Sequence, residues 1–191
     1  MVVIRVRLAE PRDAAELQAI YAPMVGSSAI SFEVEPPTAE EMARRIARTM
    51  PTHPWLVVED QGQLTGYAYA GPFRSRPAYR WSVEVSAYIH SDWRRRGVGR
   101  SLYTALLTVL AIQGYREACA GITLPNPASV GLHQALGFVP VGVYRRVGWK
   151  LGAWHDVGWW QRSLTASTNG PGEPQPLDRL DRDQFRAALN S

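Results

Sequence analysis

Cysteine is nearly absent: Cys119 is the only one among 191 residues, which forbids an intramolecular disulfide and agrees with a reducing compartment. No apolar run approaches the roughly 18 residues of a membrane-spanning helix, so no helical span is expected. The opening M-V-V-I-R-V-R-L alternates apolar and basic residues as a strand does. It lacks the long apolar core and small-residue cleavage site of a secretory signal. These absences make the cytoplasm the expected location. His53, His90 and His155 are scattered and lack cysteine partners, so no metal is expected. There is no internal repeat. Two phosphate-reading patterns are missing too: neither G-x-G-x-x-G nor G-x-x-x-x-G-K-[ST] fits R-R-R-G-V-G-R-S, residues 94–101.

What is present is ordinary globular material, 46% hydrophobic and 20% charged. The length suits one domain that buries roughly 70% of its unfolded surface. The net charge is +4, and the positive excess is concentrated. From Ser163 onward three arginines face four carboxylates, whereas Arg74, Arg76, Arg80, Arg94, Arg95, Arg96 and Arg100 share one section of chain. Such a section suits nucleic acid or a small polyanion. Without interleaved exposed aromatics or a nucleic-acid motif, a phosphorylated small molecule explains it better, and no nucleic-acid partner is expected.

Arg94, Gly97 and Gly99 follow a predicted strand, Val83 to Ile89, and open an amphipathic helix, Gly99 to Gln113, that ends at Gly114. Glycines let backbone approach a ligand, and the first helical turn offers N–H groups with no intrahelical partner at the positive end of the dipole. The pattern predicts an anion site. In the strand, Val83, Val85, Ala87 and Ile89 share one face, while Glu84, Ser86 and Tyr88 share the other.

The rest of the chain takes its place around this unit. Ile4 to Leu8 is a predicted first strand. Asp13 with Glu16, and Thr38 with Glu41, match the capping-box spacing at two helix starts. Between those helices, residues 25–37 form a polar, proline-containing loop able to reach over a cleft; Phe32 in it either lines a pocket or plugs the loop onto the core. Trp55 to Glu59 and Leu64 to Ala70 are predicted strands, followed by a basic loop, Gly71 to Tyr79. Glu117 to Leu124 is a strand expected parallel to Val83–Ile89. Asn126 and Pro127 are an N-cap and first helical residue. Two last strands, F-V-P-V-G-V-Y-R and W-H-D-V-G-W-W-Q, are joined through residues 147–153. Residues 163–176 have the composition of a flexible linker, and 177–191 form a short helical tail.

The turn R-x-x-G-x-G and this element order resemble the GNAT acetyltransferases over residues 1–162. S-F-E-V-E-P-P-T (31–38), A-G-P-F-R-S-R-P-A-Y-R-W (70–81), V-E-V-S-A-Y-I (83–89), H-Q-A-L-G-F and G-x-W-H-D-V-G-W-W-Q look specifically like phosphinothricin and methionine sulfone/sulfoximine N-acetyltransferases. The resemblance implies an α/β (α+β) GNAT fold: a mixed sheet of about seven strands, splayed between the fourth and fifth and flanked by about four helices. It implies acetyl-CoA as co-substrate, a small amino-acid analogue as acceptor, herbicide resistance of the phosphinothricin type, and a homodimer.

It also implies roles for residues. Arg94, Arg95, Arg96, Gly97, Val98, Gly99 and Arg100 wrap the pyrophosphate; Ala87, Tyr88 and Ile89 offer backbone to the pantetheine arm; Asn126 contacts that arm. Glu84 is the candidate general base, because freeing an alkyl amine costs roughly 3 to 4 kcal/mol at neutral pH and a carboxylate in an apolar strand has a raised pKa. Arg74 and Arg76 suit the paired oxygens of the acceptor, with Phe32, Tyr79 and Tyr103 completing its pocket. His133 matches a subfamily histidine and is a candidate proton donor to the CoA sulfur. Two other readings remain: acetylation of a protein N-terminus or lysine, and a non-catalytic acyl-CoA-binding module.

Overall fold

A computed structural model describes residues 5–166 and 169–190. Seven strands form one sheet in the order β1-β2-β3-β4-β5-β7-β6: β1 (Arg5–Leu8), β2 (Trp55–Asp60), β3 (Gln63–Pro72), β4 (Ser82–Ile89), β5 (Glu117–Leu124), β6 (Val139–Lys150) and β7 (Ala153–Ser163). All neighbours are antiparallel except β4 and β5. The helices are α1 (Ala14–Ser27), α2 (Ala39–Thr49), α3 (Val98–Gln113), α4 (Pro127–Ala135) and α5 (Arg182–Leu189). Period-2 alternation divides the core between the two faces. On one, Leu102, Leu106 and Leu110 of α3 pack on Val83, Val85, Ala118 and Ala120. On the other, Leu17 and Ile20 of α1 with Met42 and Ile46 of α2 pack on Val57 and Tyr67. No described helix is long and apolar enough to cross a membrane.

Helix α2 starts as its sequence predicts, with Thr38 Oγ1 accepting from the Glu41 N–H at 3.1 Å. Helix α1 does not. Asp13 makes no side-chain cap to α1; its carboxylate takes two bonds from the Arg7 guanidinium, at 2.7 and 2.9 Å, and one from the Glu10 N–H. Glu16 reaches across to the Leu64 N–H at 3.0 Å. Both carboxylates are spent on tertiary bonds, which a local capping pattern cannot anticipate. Helix α1 also runs three residues into the predicted 25–37 loop. Its last four carbonyls lack intrahelical donors, and side chains reach two of them: Ser28 Oγ donates to Met24 and Lys150 Nζ to Val25.

The last two strands are longer than predicted. Residues 147–153, expected as a connection, are mostly strand, and the turn shrinks to Leu151 and Gly152, both with positive φ (51° and 74°). The expected linker is bonded to the domain at residues 172–175: Trp81 Nε1 donates to the Gly172 carbonyl, Arg80 pairs with Glu173, and the Gln175 N–H donates to the Gln113 carbonyl. Leu180, just before α5, and Ala188 within it then pack over Val109. Ile4 and Ser191, in the predicted first strand and tail, lie outside the described residues.

Candidate active site

The β4–β5 ladder is three pairs long: Ser82 with Glu117, Val83 with Ala118, Glu84 with Cys119. Beyond it each strand keeps only its other neighbour. Residues 85–89 stay on β3 and residues 120–124 stay on β7. The sheet therefore parts immediately after Glu84 and leaves the facing backbone groups of Ala87, Tyr88 and Ile89 turned into the gap. A cleft of about 910 Å³ fills it, walled by both strands, the start of α3 and the face of α4 from Asn126 to His133.

The start of α3 stands over the cleft. Gly97 occupies the left-handed region at φ 89°, which reverses the chain into the helix and disfavours any side chain there. No side chain caps α3, and its first intrahelical bond is Ser101 N–H to the Gly97 carbonyl at 3.0 Å. The N–H groups of Val98, Gly99 and Arg100 thus have no carbonyl within the helix. Arg94, Arg95, Gly97, Gly99 and Arg100 line the cleft. The Arg96 guanidinium lies over the Trp93 ring at 5.0 Å and the Val98 side chain is core, so these two face the turn through backbone alone.

Asn126 caps α4, its Oδ1 accepting from the Ser129 N–H at 3.1 Å. His133 lines the cleft yet is only 4% exposed, and Tyr103 beside it 2%. His133 Nδ1 lies 2.8 Å from the Ser129 carbonyl and Nε2 lies 3.0 Å from the Tyr103 hydroxyl. A carbonyl only accepts, so Nδ1 carries the proton and Nε2 accepts from Tyr103. Burial lowers the His133 pKa and favours this neutral form, which presents no Nε2 proton to the cleft. Tyr103, expected in an acceptor pocket, instead commits its hydroxyl to His133.

Glu84 projects from the opposite face of β4, with Ser86 and with Tyr69 of the adjoining strand. Burial raises its pKa, partly offset by the Arg74 guanidinium. Arg74 is held by π faces, 4.1 Å above the Phe73 ring and 5.4 Å from Trp159, with a bond to the Phe73 carbonyl. Trp159 fits because Gly121 opposite it has no Cβ; one would stand 3.3 Å from the indole. Phe73, Tyr69 and Trp159 were not singled out from sequence. A glycine within the apolar run of β5, facing a strand rich in tryptophan, was the available signal. Cys119, paired with Glu84, is a buried thiol pushed up to about 11 by burial and then by Glu117 and Glu84, unfit as a nucleophile.

The remaining expected pocket residues lie further out. Arg76 and Tyr79 are exposed, Tyr79 meeting Phe73 edge-on at 5.9 Å. Phe32 is 40% exposed and lies against Gly148 of β6, tilted toward His155. Its loop is fastened below by Tyr21, which bonds Ser31 and Glu33, and by Arg45, which holds Glu33 with two bonds. Among the described residues no group of three His, Cys, Asp or Glu is placed to hold a metal ion.

Comparison with known proteins matches residues 6–159 to the acetyltransferase (GNAT) domain family. The chain belongs to the GNAT acetyltransferases. A phosphinothricin N-acetyltransferase of Streptomyces viridochromogenes is 40% identical over 174 residues, 91% of this chain and 93% of the relative. An L-methionine sulfoximine/L-methionine sulfone acetyltransferase of Salmonella typhimurium is 35% identical, over 83% of this chain and 94% of its own. Among solved structures, the phosphinothricin acetyltransferase of Sinorhizobium meliloti in complex with AcCoA superposes with a TM-score of 0.86 at 35% identity, covering 93% of this chain and 97% of that one. The parted β4 and β5 and the uncapped start of α3 are therefore parts of a GNAT scaffold.

Proposed function

We propose that this GNAT protein transfers the acetyl group of acetyl-CoA to the α-amine of a small amino-acid analogue of the phosphinothricin, methionine sulfoximine or methionine sulfone type, in a ternary complex. One observation carries the reading. A single split in the sheet has a half-buried carboxylate, Glu84, at its closed end, and helix-terminal N–H groups without helical partners, flanked by arginines, at its mouth. The first suits an amine that must lose a proton; the second suits a diphosphate.

The chain's residues fit that co-substrate. Val98, Gly99 and Arg100 N–H groups would hold the pyrophosphate, with Arg94, Arg95 and Arg100 supplying charge. The open edge of Ala87 to Ile89 would pair with the amides of the pantetheine arm, as an added strand would. When bound, acetyl-CoA supplies an activated thioester carbonyl. Glu84, whose pKa is raised by burial, accepts the proton of the incoming ammonium directly or through water. Arg74, exposed and stacked over Phe73 beside Trp159, binds an acceptor carboxylate or phosphinate in a forked pair, with Arg76 and Tyr79 at the rim. Phe32 closes the site from the side of β6. His133 fixes Tyr103 and the wall of α4.

The scaffold works as a cytoplasmic homodimer in this reading. Strand β6 is an edge of the sheet and exposes Val139, Val141, Val143, Val147 and Trp149, an apolar row of the kind that a second copy covers. Resistance to phosphinothricin follows from acetylating its amine.

The test is thiol release from acetyl-CoA against a panel of phosphinothricin, methionine sulfoximine, methionine sulfone, ordinary amino acids and short peptides. Turnover confined to the small acids supports the proposal. Turnover on peptides alone, or acetyl-CoA binding with no acceptor used, would replace it by the protein-acetylating or the cofactor-sensing reading.

A further inference from the structure

The segment after the catalytic domain lies outside the cleft, yet it ends against the loop that carries Arg74, Arg76 and Tyr79. That loop, residues 73–81, closes at its base through the Phe73 N–H to the Ser82 carbonyl, 3.3 Å. Its last two residues face the tail. Arg80 bridges two segments: Nε donates to the Pro77 carbonyl within the loop at 2.9 Å, while Nη1 donates to Glu173 of the tail at 2.6 Å. Its guanidinium also lies 5.1 Å over the Trp81 ring. Trp81 Nε1 donates to the Gly172 carbonyl at 2.8 Å.

An exposed ion pair alone contributes little, because holding both side chains costs entropy. Here the tail is already held on its far side. Buried Gln113 makes a reciprocal pair with Gln175: its Nε2 donates to the Gln175 carbonyl at 2.8 Å, and its own carbonyl accepts the Gln175 N–H at 2.7 Å. The same Nε2 donates to the Thr52 carbonyl. Pro174 lies over the Gly114 turn, and α5 is capped by Asp181 and packed on Val109. Glu173 and Gly172 are thus presented to Arg80 and Trp81 at high effective concentration.

We infer that residues 172–175 are a positioning strap, which through Arg80 and Trp81 holds the 73–80 loop where Arg74 meets Phe73 and Trp159. The tail then sets acceptor affinity without touching acceptor or co-substrate. This rests on the reading of Arg74 as an acceptor contact.

The test uses the full-length chain with Trp81→Phe, Glu173→Gln and both together. Two quantities are read: the rate of trypsin cleavage after Arg74, and the steady-state constants with methionine sulfoximine or phosphinothricin. Losing one neutral hydrogen bond and one exposed ion pair should make the double variant about tenfold faster to nick and raise the acceptor KM about tenfold. The kcat and the KM for acetyl-CoA should stay unchanged, a split that general destabilisation would not produce. Unaltered nicking overturns the strap. Faster nicking with an unmoved acceptor KM overturns its effect on affinity. Faster nicking in a protein that acetylates no small acid leaves the strap standing and removes the proposed acceptor instead.

Discussion

Replacing Lys150 by methionine removes the only ammonium side chain in the sequence and tests how the β6–β7 hairpin is fastened to the site. Lys150 is 6% exposed, and its Nζ lies 2.6 Å from both the Val25 and Ser31 carbonyls. The first is an orphan acceptor at the negative end of α1; the second belongs to the loop that carries Phe32. Each bond from a charged donor contributes about 1.5–3 kcal/mol. Those values are already net of the exchange with water, and methionine keeps the stem's packing, so losing both bonds costs about 3–6 kcal/mol, or roughly 10–15 °C in Tm at 2–4 °C per kcal/mol for a chain of this size. Urea unfolding gives the first number and calorimetry the second. Hydrogen exchange locates the damage: amides of residues 28–34 should exchange faster, while those of α3 follow only the global change. A loss under about 1 kcal/mol, or fast exchange spread evenly over the chain, would refute the idea that this ammonium fastens loop to hairpin.

Glu84→Gln should lower kcat by about 10²–10⁴, the usual worth of a positioned base, with acetyl-CoA binding intact by calorimetry; unchanged turnover would remove Glu84 from the mechanism. Because burial raises its pKa and Arg74 partly offsets this, the acid limb of kcat/KM should lie above the ordinary carboxylate value near 4.3 and move further up in Arg74→Ala. A limb at or below that value contradicts the assignment. Gly97→Ala forces a Cβ into φ 89° at a cost of about 1–2 kcal/mol; a raised KM for acetyl-CoA with the acceptor KM unmoved would mark the distortion as local to the α3 turn. For the Arg7–Asp13 pair, burial is the largest influence and raises the Asp13 pKa, but the Arg7 hydrogen bonds, the Glu10 N–H bond and the charges of Arg7 and Arg12 together outweigh it, leaving the folded value below the usual one. Its stabilisation is thus fully present above the unfolded value near 3.9 and is lost as pH falls through the folded value. The stability gap between wild type and Asp13→Asn should be flat above about pH 5 and shrink below about pH 4; a gap constant down to acid unfolding would show that the pair is not what titrates.

Much of the site's frame can be read from local pattern, because its causes are local. Alternation set the two faces of β4 and so the side from which Glu84 projects. Gly97 and Gly99 marked the α3 turn, and Asn126–Pro127 marked the start of α4. Where a side chain's partner lies far along the chain, local pattern misleads: Asp13 and Glu16 have capping spacing but bond Arg7 and Leu64, and the linker-like run before Leu177 is pinned by Trp81, Arg80 and Gln113. Trp159 and Phe73 escaped notice because each looks like one more aromatic in a strand-rich chain. Their edge-to-face corner, over which Arg74 lies, exists only once β7 lies beside β5 at Gly121.

The sequence by itself determined most of the elements, their order and the glycine turn that opens α3, since these depend on spacing, glycine conformation and capping within a few residues. The tertiary structure alone decided where β4 and β5 part company, that His133 is consumed by Tyr103 and the Ser129 carbonyl, and that the chain's single lysine closes the end of α1. The physical reason is range. Periodicity and backbone preference act over one or two turns, whereas the pKa of Glu84, the posture of Arg74 and the donors available to orphan carbonyls depend on groups that sequence distance separates and only packing brings together.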